Sequence, residues 1–178
     1  LWAALAPTSH LQGQFLQNQY AEDGTLLLQS RGRFAVLRPG YFSWEISSPD
    51  DQLIVADADY IWHHDRDLET VTRRPTPTGA EATPLQILGG DTDSLRESFA
   101  VVASGEGVYT LTPLVDGAGF RSLQLTLSGA ILDSMEVRDN LGQRIEVQFL
   151  DVDTQSELTP ADFAFTPPEG VDVFLHDQ

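Results

Sequence analysis

The sequence predicts a mainly β (α+β) fold of about eleven short antiparallel strands, a curved sheet or unclosed barrel, with a few small helices beside it. Three observations lead there. Apolar and polar residues alternate with period two, as in Phe42-Ser43-Trp44-Glu45-Ile46. The alternating runs are short and are separated by turn chemistry, such as Glu22-Asp23-Gly24, Pro49-Asp50-Asp51 and Asn140-Leu141-Gly142. Helical signals are confined to a few small segments, which cannot form a layer of their own and are left to cover one mouth of the sheet.

Taken in order, Leu1–Leu5 reads as the end of a short amphipathic helix, stopped by Pro7 and Ser9. Leu11–Tyr20 is a Gln-rich strand, and Glu22-Asp23-Gly24 turns it into Leu26–Leu37, where Gly32 marks a bend or bulge. Arg38-Pro39-Gly40 is a tight turn between two apolar arms. Tyr41–Ser47 follows, with Phe42, Trp44 and Ile46 on one face. Gln52–Ala56, Tyr60–His64 and Leu68–Arg74 complete the first half. The tract from Arg73 to Thr83 is irregular. It ends where Thr83 caps and Pro84 opens a helix carrying Leu85, Ile87 and Leu88, which Gly89-Gly90 stop. Leu95–Phe99 adds a further turn. A meander of Phe99–Ala103, Val108–Pro113, Phe120–Leu127, Ala130–Arg138 and Arg144–Asp151 follows. Pro160–Phe163 forms a short turn, and Gly170–Phe174 is a terminal extended segment.

Length and composition predict one domain spanning residues 1–178, because 178 residues with 41% hydrophobic content suffice for a packed core. No apolar run approaches the roughly 20 residues of a bilayer-spanning helix, so membrane insertion is not expected. The net charge is −17, from 27 acidic residues against ten arginines and no lysine. Such an anion is a poor candidate for nucleic acid or anionic membrane surfaces, where a basic patch is expected. Either adaptation to high salt or a plain solubilising surface accounts for it. Cysteine is absent from these residues, so neither a disulfide nor a lipid-modified Cys is expected. The opening Leu1–Ala6 lacks a basic flank and is too short for a signal peptide, as expected of a processed, exported chain.

Catalytic constellations are weak. His63-His64-Asp65 invites a metal or triad reading, but neighbouring residues on a strand point to opposite faces and cannot share one ion. The Asp-x-Asp pairs at Asp57/Asp59, Asp91/Asp93 and Asp151/Asp153 read as turn caps rather than calcium or acid–base sites. No Gly-x-Ser-x-Gly elbow or phosphate loop occurs. No metal, cofactor or catalytic residue is expected. The aromatic residues Phe15, Phe34, Phe42, Trp44 and Trp62 are the more informative set. On a single curved sheet they need cover, and small helices leave an apolar concavity suited to a greasy ligand.

Several segments, in order along nearly the whole chain, resemble the LolA family of periplasmic lipoprotein carriers. They are Arg38–Trp44, Ile54–Asp57, Tyr60–Trp62, Thr83–Leu85, Leu141–Gln143 and Phe163–Val173. The resemblance implies an open barrel with a helical lid over a hydrophobic cavity, and no catalysis. It implies a chaperone that accepts acylated lipoproteins from an inner-membrane ABC transporter and passes them to an outer-membrane receptor. Arg38 matches the family's lid-latching arginine, Phe42 a cavity-rim position tied to release, and Thr83–Leu88 the start of a lid helix. The expected site is therefore Arg38 as latch. Phe15, Phe34, Phe42, Trp44, Ile46 and Trp62 form the cavity and rim, and Pro84, Leu85, Ile87 and Leu88 the lid. A monomer is expected. Two alternatives stay open: a lipid-sensing or receptor module on the same barrel, and a small-molecule hydrolase using the same pocket.

Overall fold

The computed structural model describes residues 9–57, 59–77, 83–89, 92–129 and 131–176. The helix expected at Leu1–Leu5 lies outside the described residues. The first half is a meander of six strands: β1 (His10–Tyr20), β2 (Leu26–Leu37), β3 (Tyr41–Ser48), β4 (Gln52–Ala56), β5 (Tyr60–Asp65) and β6 (Thr70–Pro75). Two short helices, α1 (Pro84–Gly89) and α2 (Thr92–Ser98), lead to a second meander. It consists of β7 (Phe99–Gly105), β8 (Val108–Pro113), β9 (Ser122–Ser128), β10 (Ile131–Arg138) and β11 (Arg144–Asp153). A 3-10 turn at Pro160–Phe163 precedes β12 (Asp172–Leu175). No helix among the described residues is long and apolar enough to cross a membrane.

All twelve strands belong to one sheet in the order β12-β6-β5-β4-β3-β2-β1-β11-β10-β9-β8-β7. The two meanders join at the centre, where β1 pairs antiparallel with β11 from Gln12/Asp153 to Tyr20/Arg144. The edge strands β7 and β12 are not paired with each other, so the barrel is unclosed as the sequence predicts. The count differs from the expectation by one. The terminal extended segment adds β12 alongside β6, and this pairing is parallel, from Asp172/Thr70 to Leu175/Arg73. A parallel edge needs a long return connection, and the segment after β11 supplies it.

Alternation gives the sheet an inner and an outer face. Leu123, Leu125 and Leu127 on β9 are almost fully buried on the inner face, as their spacing requires. The main core joins these to Leu11, Phe15, Phe34, Val36, Phe42 and Trp44 from the first meander. Ile87, Leu88 and Leu95 reach it from the two helices. The Asp-x-Asp pairs are turn elements where described. Asp57 Oδ1 accepts the backbone N–H groups of Asp59 and Tyr60, both at 2.8 Å, and Asp153 Oδ1 accepts those of Gln155 and Ser156 at 2.8 and 3.1 Å.

Gly32 is where β2 bends. The β2–β3 register shifts between Arg31 and Gly32, and a Cβ at Gly32 would overlap the carbonyl oxygen of Glu45. That oxygen belongs to backbone, which cannot swing aside. Gly32→Ala is expected to destabilise the protein by about 1–3 kcal/mol through overpacking. Thermal unfolding monitored by circular dichroism should show a Tm lower by roughly 5 °C. A Tm within about 1 °C of the wild type would mean that the sheet absorbs a methyl group there without cost.

Candidate functional site: a lidded apolar cavity

The lid begins at a reciprocal cap. Thr83 N–H donates to Gln86 Oε1 at 2.8 Å, while Gln86 N–H donates to Thr83 Oγ1 at 3.4 Å. With Pro84 at the first helical position, this is a capping box that satisfies two end donors. Gln86 Nε2 also donates to the Pro77 carbonyl at 2.7 Å, tying the helix to the chain leading into it. The other end of α1 docks on the Arg38-Pro39-Gly40 turn. Arg38 Nε donates to the Leu88 carbonyl at 2.8 Å, and Gly40 N–H donates to the Gly89 carbonyl at 2.6 Å. Gly40 has φ 94°, a left-handed conformation that glycine adopts without strain and that aims its N–H at the lid. A Cβ at Gly89 would stand 3.0 Å from the Tyr41 carbonyl and 3.4 Å from Val36 Cγ1, so the helix sits directly on β2 and β3.

Arg38 is thus a cation at the C-terminal end of a helix, where the last carbonyls are otherwise short of donors and the helix dipole is negative. Burial pushes its pKa down to about 10, so it is charged at neutral pH. Ile87 and Leu88, on the underside of this helix, are buried and belong to the core. The side chain of Leu85 lies outside what the structure describes.

Under the start of α1 lies a cavity of about 310 Å³. Its floor is Phe42, Trp44 and Ile46 on β3, with Ile54 and Ile61 from the neighbouring strands. The opposite wall is Met135, Val137, Ile145 and Val147 from β10 and β11, and Thr83 and Pro84 overhang it. Gln17 and Arg74 are its further polar lining.

The predicted cavity residues divide into three groups. Phe42, Trp44 and Ile46 line the cavity, as does Pro84 of the lid. Phe15 and Phe34 do not line it; they are packed behind it. Phe15 stacks on Trp44 at 3.8 Å between ring centroids, and Phe34 meets Phe149 edge-on at 5.0 Å, making a rigid aromatic backing. Trp62 faces the other way. On β5 it is Ile61 that pairs with the inward Ala56, so alternation sends Trp62 to the outer face beside Val55. There it lies 5.3 Å from Phe165, and the Arg73 guanidinium sits over Tyr60 and Trp62 at 4.2 and 5.7 Å. The C-terminal segment covers this outer patch, and Val71 and His64 are buried within it. His63 and His64 accordingly point to opposite faces. Sequence reasoning missed the β10–β11 wall, though the i, i+2 spacing of Met135/Val137 and Ile145/Val147 is a visible signal.

Comparison with known proteins places this geometry. The family profile described as "Outer membrane lipoprotein carrier protein LolA" matches residues 6–166. An outer-membrane lipoprotein carrier protein of Chromohalobacter salexigens is 35% identical, over 97% of this chain and 84% of its own. That of Methylococcus capsulatus is 37% identical, over 92% and 80%. Among solved structures, an uncharacterized conserved protein from Thermus thermophilus shares the fold, with a TM-score of 0.58 at 13% identity, covering 98% of this chain and 96% of its own. A LolA superfamily protein from Nitrosomonas europaea has a TM-score of 0.51 at 12% identity, covering 92% and 96%. With the family profile and these relatives extending over most of its length, the chain belongs to the LolA family of outer membrane lipoprotein carrier proteins.

Proposed function

We propose that this protein is a periplasmic chaperone. It accepts acylated lipoproteins from an inner-membrane ABC transporter, shields their acyl chains in the cavity and delivers them to an outer-membrane receptor, working as a monomer and without catalysis. The observation that carries this reading is an apolar cavity under a helix of only six residues (Pro84–Gly89), held shut by a charged side chain that a few kcal/mol can displace. Each buried methylene stabilises an acyl chain by about 0.8 kcal/mol, so a lipoprotein with several chains leaves a bilayer only for comparable apolar burial. At about 310 Å³ the closed cavity lies near the lower end of the range for small-ligand sites, so loading a lipoprotein requires the lid to lift. Arg38 is the latch in this reading, and Pro84, Ile87 and Leu88 are the part that moves.

Spheroplasts that retain newly made lipoproteins supply the test. Incubation with the purified protein should release an acylated lipoprotein into the supernatant as a soluble one-to-one complex, and blocking the transporter should abolish it. Absence of any such complex with an active transporter would overturn the carrier reading.

A further inference from the structure

The cavity has a polar end. A recess of about 140 Å³, lined by Ile54, Ile61, His63, Thr72 and Arg74, adjoins the larger apolar space, and Ile54, Ile61 and Arg74 line both. Arg74 on β6 is directly across from the inward Ile61, and Thr72 is across from His63, so all four share the inner face. His63 donates through Nε2 to Gln52 Oε1 at 2.9 Å. Its pKa is lowered, chiefly by partial burial and further by Arg74, against an opposing pull from Asp65. At neutral pH the ring is uncharged, which leaves Arg74 as the standing positive charge of the recess.

Arg31, Arg96 and Arg121 share with Arg74 the absence of an ion pair among the described residues, and of these four it is Arg74 that lines the cavity and its recess. The chain has 27 acidic residues for ten arginines, so carboxylate partners are abundant. Arg33 and Arg66 bind Glu45, Arg66 also binds Asp51, and Arg138 and Arg144 bind Glu136 and Glu146. No carboxylate among the described residues forms an ion pair with Arg74, although it stands at the lip of an apolar cavity. A guanidinium presents five N–H donors and no acceptor, so it suits a ligand that brings oxygen atoms. The polar end of an acylated ligand has the complementary need. Carbonyl oxygens drawn in with their chains lose water, and the apolar wall offers them no donor.

We infer that Arg74 is the residue that receives the polar end of an acyl ligand. It donates to the carbonyl oxygens next to the chain and holds them in the recess while the hydrocarbon lies along Phe42, Trp44 and Ile46. The inference rests on the carrier reading above and deepens it. The oxygens belong either to the esters of a diacylglyceryl group or to the carboxylate of a free fatty acid.

The test is displacement of an environment-sensitive apolar dye from wild-type protein and from Arg74→Gln. Three competitors are used: a diacylglyceryl-cysteine peptide, palmitate, and an alkane of the same chain length with no carbonyl group. Arg74→Gln should weaken binding of a carbonyl-bearing competitor by about tenfold and leave the alkane unchanged. A loss with the diacylglyceryl peptide assigns the site to ester carbonyls; a loss with palmitate alone assigns it to a free carboxylate. Equal affinity of both proteins for every competitor, or an equal loss across all three, overturns the inference and leaves the carrier reading intact. Failure of the wild-type protein to take up dye or any competitor overturns both.

Discussion

Arg38→Leu is expected to yield a protein that loads acyl chains but hands them on poorly. The proposed latch sets two opposing effects against each other. Burial lowers the Arg38 pKa to about 10, so desolvation of the guanidinium offsets part of what its hydrogen bond contributes. A hydrogen bond from a charged donor, such as that to the Leu88 carbonyl, contributes roughly 1.5–3 kcal/mol. The net preference for the closed lid is therefore small, as a carrier that must both load and release requires. Leucine removes the donor and leaves the Leu88 carbonyl unsatisfied, so the empty closed form loses its advantage and nothing helps to expel cargo. A change of 1–3 kcal/mol shifts the lid equilibrium by about 5–150-fold. Transfer of a bound lipoprotein to the receptor should slow by a factor in that range, and hydrogen exchange at the amides of Ile87 and Leu88 should quicken. Transfer and exchange both at wild-type rates would rule out Arg38 as the latch.

Phe42→Glu should have a still larger effect, on binding as well as on the fold. Phe42 is 4% exposed on the cavity floor, paired with Val36 on one side and Ala56 on the other. Its Cβ lies 3.6 Å from the point where a side chain on Gly89 would begin, so the lid rests on it. Truncating such a phenylalanine costs about 3–5 kcal/mol, and a carboxylate there must also be desolvated or protonated. The expected result is a Tm lower by roughly 10 °C and acyl-chain affinity reduced by two orders of magnitude or more. Phe42→Leu separates the two effects. It keeps the cavity apolar, so it should retain most of the binding while losing some stability. If Phe42→Glu binds an acyl peptide as tightly as the wild type, Phe42 does not belong to the binding surface.

The sheet was legible because alternation and turn chemistry are local properties. Phe42-Ser43-Trp44-Glu45-Ile46 states its own two faces, and Thr83-Pro84-Leu85-Gln86 states its own helix start. What a single strand does not state is which face turns inward. Trp62 and Ile61 are both large and apolar. Only the register with Ala56, and the arrival of Phe165 from the far end of the chain, decide that Ile61 faces the cavity. The parallel pairing of β12 is hidden for the same reason, since nothing in Asp172–Leu175 names β6 as its neighbour. Arg38 was legible as the charged member of a turn between two apolar arms and, through the family resemblance, as a latch; its acceptor, a helix carbonyl, is a backbone atom that no side-chain pattern announces. Arg74 was hidden because its setting depends on the pairing of β5 with β6 and on the absence of a described carboxylate partner, neither of which is a local property.

The seam between β1 and β11 also bears on how the molecule is made. The first six strands can form hairpin by hairpin as the chain emerges, but the central strand finds its second neighbour only when Arg144–Asp153 arrives. Until then the apolar face of a half-built sheet is open along its whole length, with an unpaired edge beside it. A protein built to hold fatty chains would offer that face to any lipid or nascent polypeptide nearby. Topologies whose first and last pieces must meet fold slowly and are prone to association on the way. The same concavity that serves the finished carrier is thus the surface most open to association before the β1–β11 seam closes.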